Sequence, residues 1–256
     1  MPGGQDDPTL RLAHAAVHIE VLKLAVREFL DSSPFTVTVT VTENEREQVV
    51  TLDDDVEFPA EISLIAGDAI HSMRAALDNL VWQLGLTVIP EPRRQLVWPV
   101  GDRDLTQSRV RPGDKRLSGL PQGAAERVLE FQGTEGHMKW FRLTDLQELW
   151  KRDKHQTLQV MAAYAAAPVA VVVHPADSAG FDPEWLQQPS YQGAVLPGGV
   201  LVRLPAGVDA RLSWEFGVAF GTGPVMGEPL IQWLCDTHRM IETEVFPEFG
   251  DFLPGM

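Results

Sequence analysis

The residues from about Pro59 to Leu84 constrain the fold most, because they are apolar on nearly every side when drawn as a helix. The main apolar face carries a regular series of side chains: Ile62, Ile65, Ala69, Met73, Leu77, Leu80 and Leu84. The opposite face carries His71, Arg74 and Asp78 among apolar or small neighbours. A helix with so little polar surface is usually buried. We therefore expect a central helix that holds a partly buried cluster of polar side chains.

A second helix, predicted from about Thr144 to Ala166, places Asp153 in the middle of an apolar face. Thr144 and Gln147 have the spacing of a capping box at its start. A buried carboxylate costs free energy unless a positive group pairs with it. The guanidinium of Arg74 can satisfy both carboxylate oxygens, so we predict an Arg74–Asp153 ion pair between the two helices.

The candidate site combines the polar residues of these two helices, which are His71, Arg74, Asp78, Asp153, Lys154 and His155. Two interpretations remain open. A buried Arg–Asp pair often serves only to fix helix register and satisfy charge. The functional interpretation is that the cluster converges on an anionic ligand or a nucleic-acid phosphate.

The rest of the sequence predicts an α+β protein, with four long helices in a bundle-like core and about five short, mostly antiparallel strands. The clearest strand runs from Phe35 to Thr42, where valine and threonine alternate, and it forms a hairpin with Gln48–Leu52. The other predicted helices are Pro8–Leu30, capped by Asp7, and Pro229–Val245. The other predicted strands are Val169–Val173, Val195–Leu196, Val200–Leu204 and Arg211–Phe220.

We expect a single domain over residues 1–256, with a long irregular basic insertion at about 88–138. This insertion includes one short helical stretch, Ala124–Glu130. The formal charge of the chain is −15, which disfavours general binding to RNA. The window from Arg93 to Arg127 nevertheless carries +4 and leaves −19 on the remainder. That window either contacts a phosphate locally or folds over the acidic surface of the protein itself.

The sequence favours a soluble, cytoplasmic protein without a membrane segment. A single cysteine, Cys235, excludes a disulfide within the chain and fits a reducing compartment. The first residues lack the features of a signal peptide, and the longest apolar run is interrupted by Pro168. His14 and His18 lie one turn apart without a positioned carboxylate, so we predict neither a metal nor a cofactor.

Four segments of the chain resemble a family of uncharacterised bacterial proteins. They are Gly67–Asp78 with its "LRxALD"-like helix, Trp98–Val100, Leu129–Gln132 and Asp153–His155 with its "DKH" helix. The resemblance extends over about residues 15 to 160, in the same order, and implies no established activity.

The helical half is also similar, more weakly, to the HEPN group of metal-independent ribonucleases. In that group an arginine and a histidine assist the attack of a ribose 2′-hydroxyl on its neighbouring phosphate. Trp150 and Lys151 occupy the Arg and Asn positions before His155 in this chain, and Arg11 with His18 is the candidate pair on the first helix.

Two functional hypotheses follow, with no biochemical activity assigned. The first is a non-catalytic module that binds a protein partner or a small anion at the His/Arg/Asp cluster. The alternative is a divergent HEPN-like ribonuclease, in which His155 or His71 assists the reaction and Arg74 stabilises phosphate charge.

Overall fold

The structure is a computed structural model and describes residues 7–42, 47–53, 56–89, 96–100, 115–132, 140–154, 158–173, 192–195, 199–205 and 208–253. The helices are α1 (Pro8–Asp31), α2 (Ala60–Leu86), α3 (Ala124–Glu130), α4 (Phe141–Asp153) and α5 (Leu230–Met240). A π-helical turn, Ile241–Val245, and a 3-10 turn, Phe246–Phe249, follow α5 directly. The strands are β1 (Val37–Val41), β2 (Glu47–Leu52), β3 (Val160–Val173), β4 (Gln192–Val195), β5 (Val200–Pro205) and β6 (Val208–Phe220).

The mixed helix and strand class predicted from the sequence is confirmed. The described residues form five α-helices and two small antiparallel sheets rather than a core of four long helices. The chain divides into two compact units: Met1–Lys23 with Ser63–Leu158 and Ile231–Met256, and Leu24–Ile62 with Gln159–Leu230. The single domain with a basic insertion stays a prediction, although α3 lies where the short helix was expected.

The first unit is helical in its described residues and is built around α2. Ala66, Ala69, Ile70, Met73 and Leu77 are all fully buried, as expected for a helix that is apolar on most sides. Asp7 caps α1 by accepting hydrogen bonds from the N–H groups of Thr9 and Leu10, so the predicted cap is confirmed. The core of this unit therefore forms around the helix that carries the candidate site.

A cluster of aromatic side chains lies within the helical unit. Trp98 lies 5.9 Å from Phe131 and 6.0 Å from Phe249, measured between ring centroids. Phe131 in turn packs edge-on against Trp140, with the centroids 4.7 Å apart. These rings hold Trp98, which is 1% exposed, in a fixed position beside α2.

The second unit contains both sheets, with strand orders β1-β2-β5 and β4-β3-β6. The predicted hairpin is confirmed: Val37 pairs with Leu52 and Val39 with Val50 in antiparallel register. On β2 the side chains of Val50 and Leu52 are buried, so the valine face of β1 continues the core-facing side of the sheet.

The prediction that one helix continues from Thr144 to Ala166 is wrong. Helix α4 ends at Asp153, and Val160–Val173 is a strand that pairs with β6 over most of its length. The segment is apolar throughout, so its sequence shows no period that separates helix from strand. Its pairing with β6, whose sequence alternates between apolar and other residues, makes it a strand. Pro168 lies where the register of this pairing shifts, a position that tolerates proline.

The capping box predicted at Thr144 and Gln147 is also wrong. Helix α4 begins one turn earlier, at Phe141, so Thr144 lies inside it and is buried. Gln147 is consequently available for another role, described below.

Among the helices that the structure describes, none combines the length and the apolar character needed to cross a membrane.

Candidate functional site

Arg74 lies at the centre of the candidate site and is 4% exposed. Its guanidinium donates from Nη1 to Asp78 Oδ1 at 2.5 Å and from Nη2 to the backbone carbonyl of Trp98 at 2.8 Å. Its Nε–H donates to Oε1 of Gln147 on α4. Each of the three guanidinium nitrogens therefore has an acceptor within the protein, which a buried charge requires.

Asp78 binds the backbone of Trp98 as well, the residue whose carbonyl accepts from Arg74. Its Oδ1 accepts the backbone N–H of Trp98 at 2.8 Å, so both polar backbone groups of Trp98 are held by side chains of α2. Asp78 follows Arg74 by one helical turn, a spacing that brings the two side chains together on one face.

The predicted ion pair between Arg74 and Asp153 is wrong. Within the described residues Arg74 is bonded to Asp78, Gln147 and Trp98 instead. Gln147 meets Arg74 from α4, whereas Asp153, six residues later in the chain, meets Gly67, seven residues before Arg74 on α2. Seven residues of helix span roughly 10 Å, so Asp153 faces α2 at a point too far along its axis to reach Arg74.

Burial and the partner's charge shift the pKa values of Arg74 and Asp78 in opposite directions. Burial raises the pKa of Asp78, while Arg74, the Trp98 N–H and Lys154 oppose that rise. Burial likewise lowers the pKa of Arg74, and Asp78 opposes this change. The charge of each partner thus offsets part of the cost of burying the other.

Trp150 on α4 connects the buried pair to exposed side chains. Its Nε1–H donates to Nδ1 of His71 at 3.1 Å. The Lys154 Nζ lies 3.5 Å from the centroid of its ring, and the Arg74 Cζ lies 5.7 Å from it. Since His71 and Lys154 are exposed and Trp150 is half-buried, we name these three residues the His71–Lys154 surface.

The end of α4 positions Lys154 on this surface. Lys154 is the C-cap residue, and its backbone N–H donates to the carbonyl of Trp150 at 3.2 Å. A lysine in this position interacts favourably with the negative end of the helix. Its ammonium group lies over the indole ring as a cation–π contact.

Asp153 occupies a separate place, next to Gly67 on α2. A Cβ atom added at Gly67 would lie 2.5 Å from Oδ1 of Asp153, which is closer than real Cβ contacts come. Asp153 is half-buried rather than central in an apolar face. Burial raises the pKa of Asp153, Asp68 raises it further, and His71 opposes them.

The structure brings five of the six predicted residues into this region in three different roles. Arg74 and Asp78 form the buried pair, His71 and Lys154 meet at Trp150, and Asp153 packs against Gly67. The sixth, His155, lies outside the described residues.

Sequence reasoning missed Gln147, Trp98 and Trp150 as members of the site. The sequence places Gln147 in a predicted capping box, and it singles out Trp150 only by its position before His155. The spacing of Gln147 and Trp150, three residues apart, was a usable signal, because it places two groups capable of hydrogen bonding on one side of α4.

Part of the basic insertion folds onto the protein's own acidic groups. Arg127 forms ion pairs with Glu248 at 3.0 Å and with Glu130 at 3.3 Å. Arg116 is half-buried and near enough to Arg74 to lower its pKa. The arginines from Arg93 to Arg111 lie outside the described residues.

The histidines of the helical unit show no metal site in the described part of the chain. The rings of His14 and His18 lie 6.1 Å apart, and His238 contacts the carbonyl of Leu12 at 3.1 Å through Nε2. No group of three or more potential ligands among the described His, Cys, Asp and Glu residues could hold a metal ion.

Comparisons with protein families, with curated proteins and with solved structures find no match to this chain. The resemblances suggested by its sequence therefore stay predictions.

Proposed function

We propose that this protein is a non-catalytic module that binds a small anion at the His71–Lys154 surface. The observation that carries the proposal is the hydrogen bond from Trp150 Nε1–H to His71 Nδ1. In a neutral imidazole one nitrogen accepts and the other donates. In a neutral His71 whose Nδ1 accepts from Trp150, the ring proton is on Nε2, so the side chain offers a donor at that nitrogen.

Lys154 supplies a second donor beside the first. Its ammonium group and the imidazole of His71 both contact the same indole, and both side chains are exposed. Two neighbouring donors, one of them charged, suit a ligand that offers oxygen acceptors and negative charge, such as a carboxylate or a phosphate. The Trp150 ring holds both donors in place and so lowers the cost of ordering them when the ligand binds.

Nearby acidic groups favour a small anion over a polyanion. Asp153 lies near both His71 and Asp68, and the whole chain carries −15. Such charges repel an extended phosphate backbone. A single carboxylate or phosphate needs only the short-range contacts with His71 and Lys154.

The ribonuclease alternative needs a general base within reach of a ribose hydroxyl. His71 is a poor candidate, because its accepting nitrogen is already bonded to Trp150. Arg74 is a poor candidate for binding phosphate, because its guanidinium is 4% exposed and bonded to Asp78, Gln147 and Trp98. The alternative therefore depends on His155.

The proposal is tested by titrating the protein with inorganic phosphate and with acetate at constant ionic strength. Isothermal calorimetry and ¹⁵N NMR of the histidine side chains monitor the titrations. We expect Lys154→Gln and His71→Phe each to weaken phosphate binding about tenfold, which corresponds to about 1.4 kcal/mol. Lys151→Gln is the matched control, since Lys151 is also an exposed lysine of α4 but pairs with Glu148 at 2.6 Å.

Equal phosphate affinity in all three variants and the parent protein would contradict the proposal. Incubation with mixed RNA, with and without chelator, tests the alternative. We expect no cleavage, and cleavage that disappears in His155→Ala would favour the ribonuclease over the binding module.

A further inference from the structure

Strand β1 forms one edge of the β1-β2-β5 sheet and lacks the features that usually protect a sheet edge. β1 lies at the end of the strand order, and all five of its residues are exposed. Sheet edges are commonly blocked by charged residues, proline or a bulge. β1 reads Val-Thr-Val-Thr-Val and has none of these, and the register shift of this sheet lies between β2 and β5.

Hydrogen bonds to β2 show which backbone groups of β1 face outward. The carbonyl of Thr36 accepts from Asp53 N–H at 3.0 Å, and the N–H of Thr42 donates to the Glu47 carbonyl at 2.9 Å. Because these groups alternate along a strand, the threonines bond toward β2. The N–H and C=O groups of Val37, Val39 and Val41 therefore point away from the sheet.

The valine side chains also leave an apolar surface uncovered. Val37, Val39 and Val41 are 37%, 55% and 59% exposed, whereas Val50 and Leu52 on the neighbouring strand are buried. These residues share one face of the sheet, since Val39 is paired with Val50 and Val37 with Leu52. On this face of the sheet, the side chains of β2 are therefore covered and those of β1 are exposed.

We propose that β1 pairs with β1 of a second copy of this chain, antiparallel about a two-fold axis at Val39. The strand is complementary to itself in this register. Val37 lies opposite Val41 of the second copy, Thr38 opposite Thr40, and Val39 opposite Val39, so valines meet valines on one face. Every outward N–H and C=O group of the three valines finds a partner, for about six backbone hydrogen bonds.

A sliding of the strands by two residues leaves one valine without a partner, so this register is preferred over its neighbours. The two β1 strands join two three-stranded sheets into one of six strands. The contact is an isologous interface, which closes on itself and does not continue into a fibre. Its strand-to-strand area is small, so we expect reversible association of modest affinity.

Cysteine crosslinking tests the register directly. In a Cys235→Ser background, Val39→Cys places two cysteines opposite each other with Cα atoms about 5.5 Å apart, a separation that a disulfide spans. We expect Val39→Cys to form a covalent dimer under mild oxidation, and Val37→Cys alone to remain uncrosslinked. A mixture of Val37→Cys and Val41→Cys proteins should crosslink to each other.

Sedimentation velocity over a range of concentrations tests the association itself. We expect Val39→Lys to weaken dimerisation at least about tenfold, because it places two like charges opposite each other. Val200→Lys is the matched control, since Val200 is an exposed valine on β5, at the opposite end of the same sheet. Equal thermal midpoints of both variants and the parent protein would show that the monomers stay folded.

The proposal is overturned if the parent protein sediments as a monomer at every concentration. It is also overturned if Val37→Cys crosslinks as well as Val39→Cys, or if Val200→Lys weakens association as much as Val39→Lys. Association that weakens with added salt would contradict it too. Two copies that each carry −15 repel one another, and salt screens that repulsion.

Discussion

Replacement of Arg74 by alanine is expected to destabilise the protein by about 3 kcal/mol, at the lower end of the 3–5 kcal/mol range for breaking a buried ion pair. Arg74 is 4% exposed and bonds to three acceptors, so its loss leaves those acceptors without their donor. The lower end applies because the side chain of Asp78 is 26% exposed, and water can solvate part of the carboxylate left behind.

The pH dependence of this variant provides a second expected result. Burial raises the pKa of Asp78, and Arg74 opposes the rise, so removal of Arg74 raises this folded-state pKa further. A carboxyl group whose folded pKa lies above its unfolded value costs stability as the pH rises through that window. Arg74→Ala should therefore be less destabilised at about pH 5 than at about pH 7, and Asp78→Asn should remove the difference.

Urea unfolding provides the measurement, with the slope of each transition compared so that a change in midpoint reports stability. Arg127→Ala is the control, since Arg127 is an exposed arginine in two ion pairs and such pairs contribute at most about 1 kcal/mol. In double-mutant cycles, Arg74 should couple to Asp78 and not to Asp153. A loss below about 0.5 kcal/mol for Arg74→Ala, or a coupling to Asp153 larger than that to Asp78, would refute this reasoning.

Three further substitutions address the rest of the site. Asp153→Asn should stabilise the protein at pH 7 and have little effect on its stability at about pH 3, because burial raises the pKa of Asp153 above its unfolded value. Thermal midpoints at both pH values test this prediction, and a lower midpoint for the variant at pH 7 would contradict it. Gly67→Ala should be destabilising in the parent protein, where the new Cβ meets Asp153 Oδ1 at 2.5 Å. In an Asp153→Ala background it should stabilise by up to about 1 kcal/mol, the helix preference of alanine over glycine, and equal effects in both backgrounds would count against the close contact. Trp150→Phe removes the donor to His71 Nδ1 and should weaken phosphate binding with a loss of stability near 1 kcal/mol; calorimetry and urea unfolding separate the two effects, and unchanged affinity would show that the indole does not orient the imidazole.

The elements that the sequence predicts well are those in which local pattern and tertiary environment agree. The alternation of valine and threonine locates β1, and Asp7 followed by Pro8 locates the start of α1, within one or two residues of the structure. In both cases the deciding interactions lie within a few residues along the chain, as in the cap that Asp7 provides for Thr9.

The elements that the sequence predicts poorly depend on partners distant in the chain. Val160–Val173 has the composition of a buried segment of either type, and its pairing with β6 determines that it is a strand. The predicted ion pair between Arg74 and Asp153 is wrong for a related reason. The choice between Asp78 and Asp153 as partner of Arg74 depends on how α4 is placed along the axis of α2, and this placement puts Gln147 opposite Arg74 and Asp153 opposite Gly67.

The way in which Trp98 is held has a consequence for how freely this chain can vary. Arg74 and Asp78 bind its backbone carbonyl and N–H, not its side chain. Together they close the segment between the end of α2 at Leu86 and Trp98, and lengthening such a loop costs little entropy. Insertions between α2 and residue 96 should therefore be tolerated, whereas most changes of side chain at position 98 should not, because the Trp98 ring is 1% exposed and packs against Phe131 and Phe249. Proline at position 98 would in addition lose the N–H that donates to Asp78. The two hydrogen bonds to its backbone thus fix the path of the chain at residue 98, and the aromatic cluster fixes which side chain fits there.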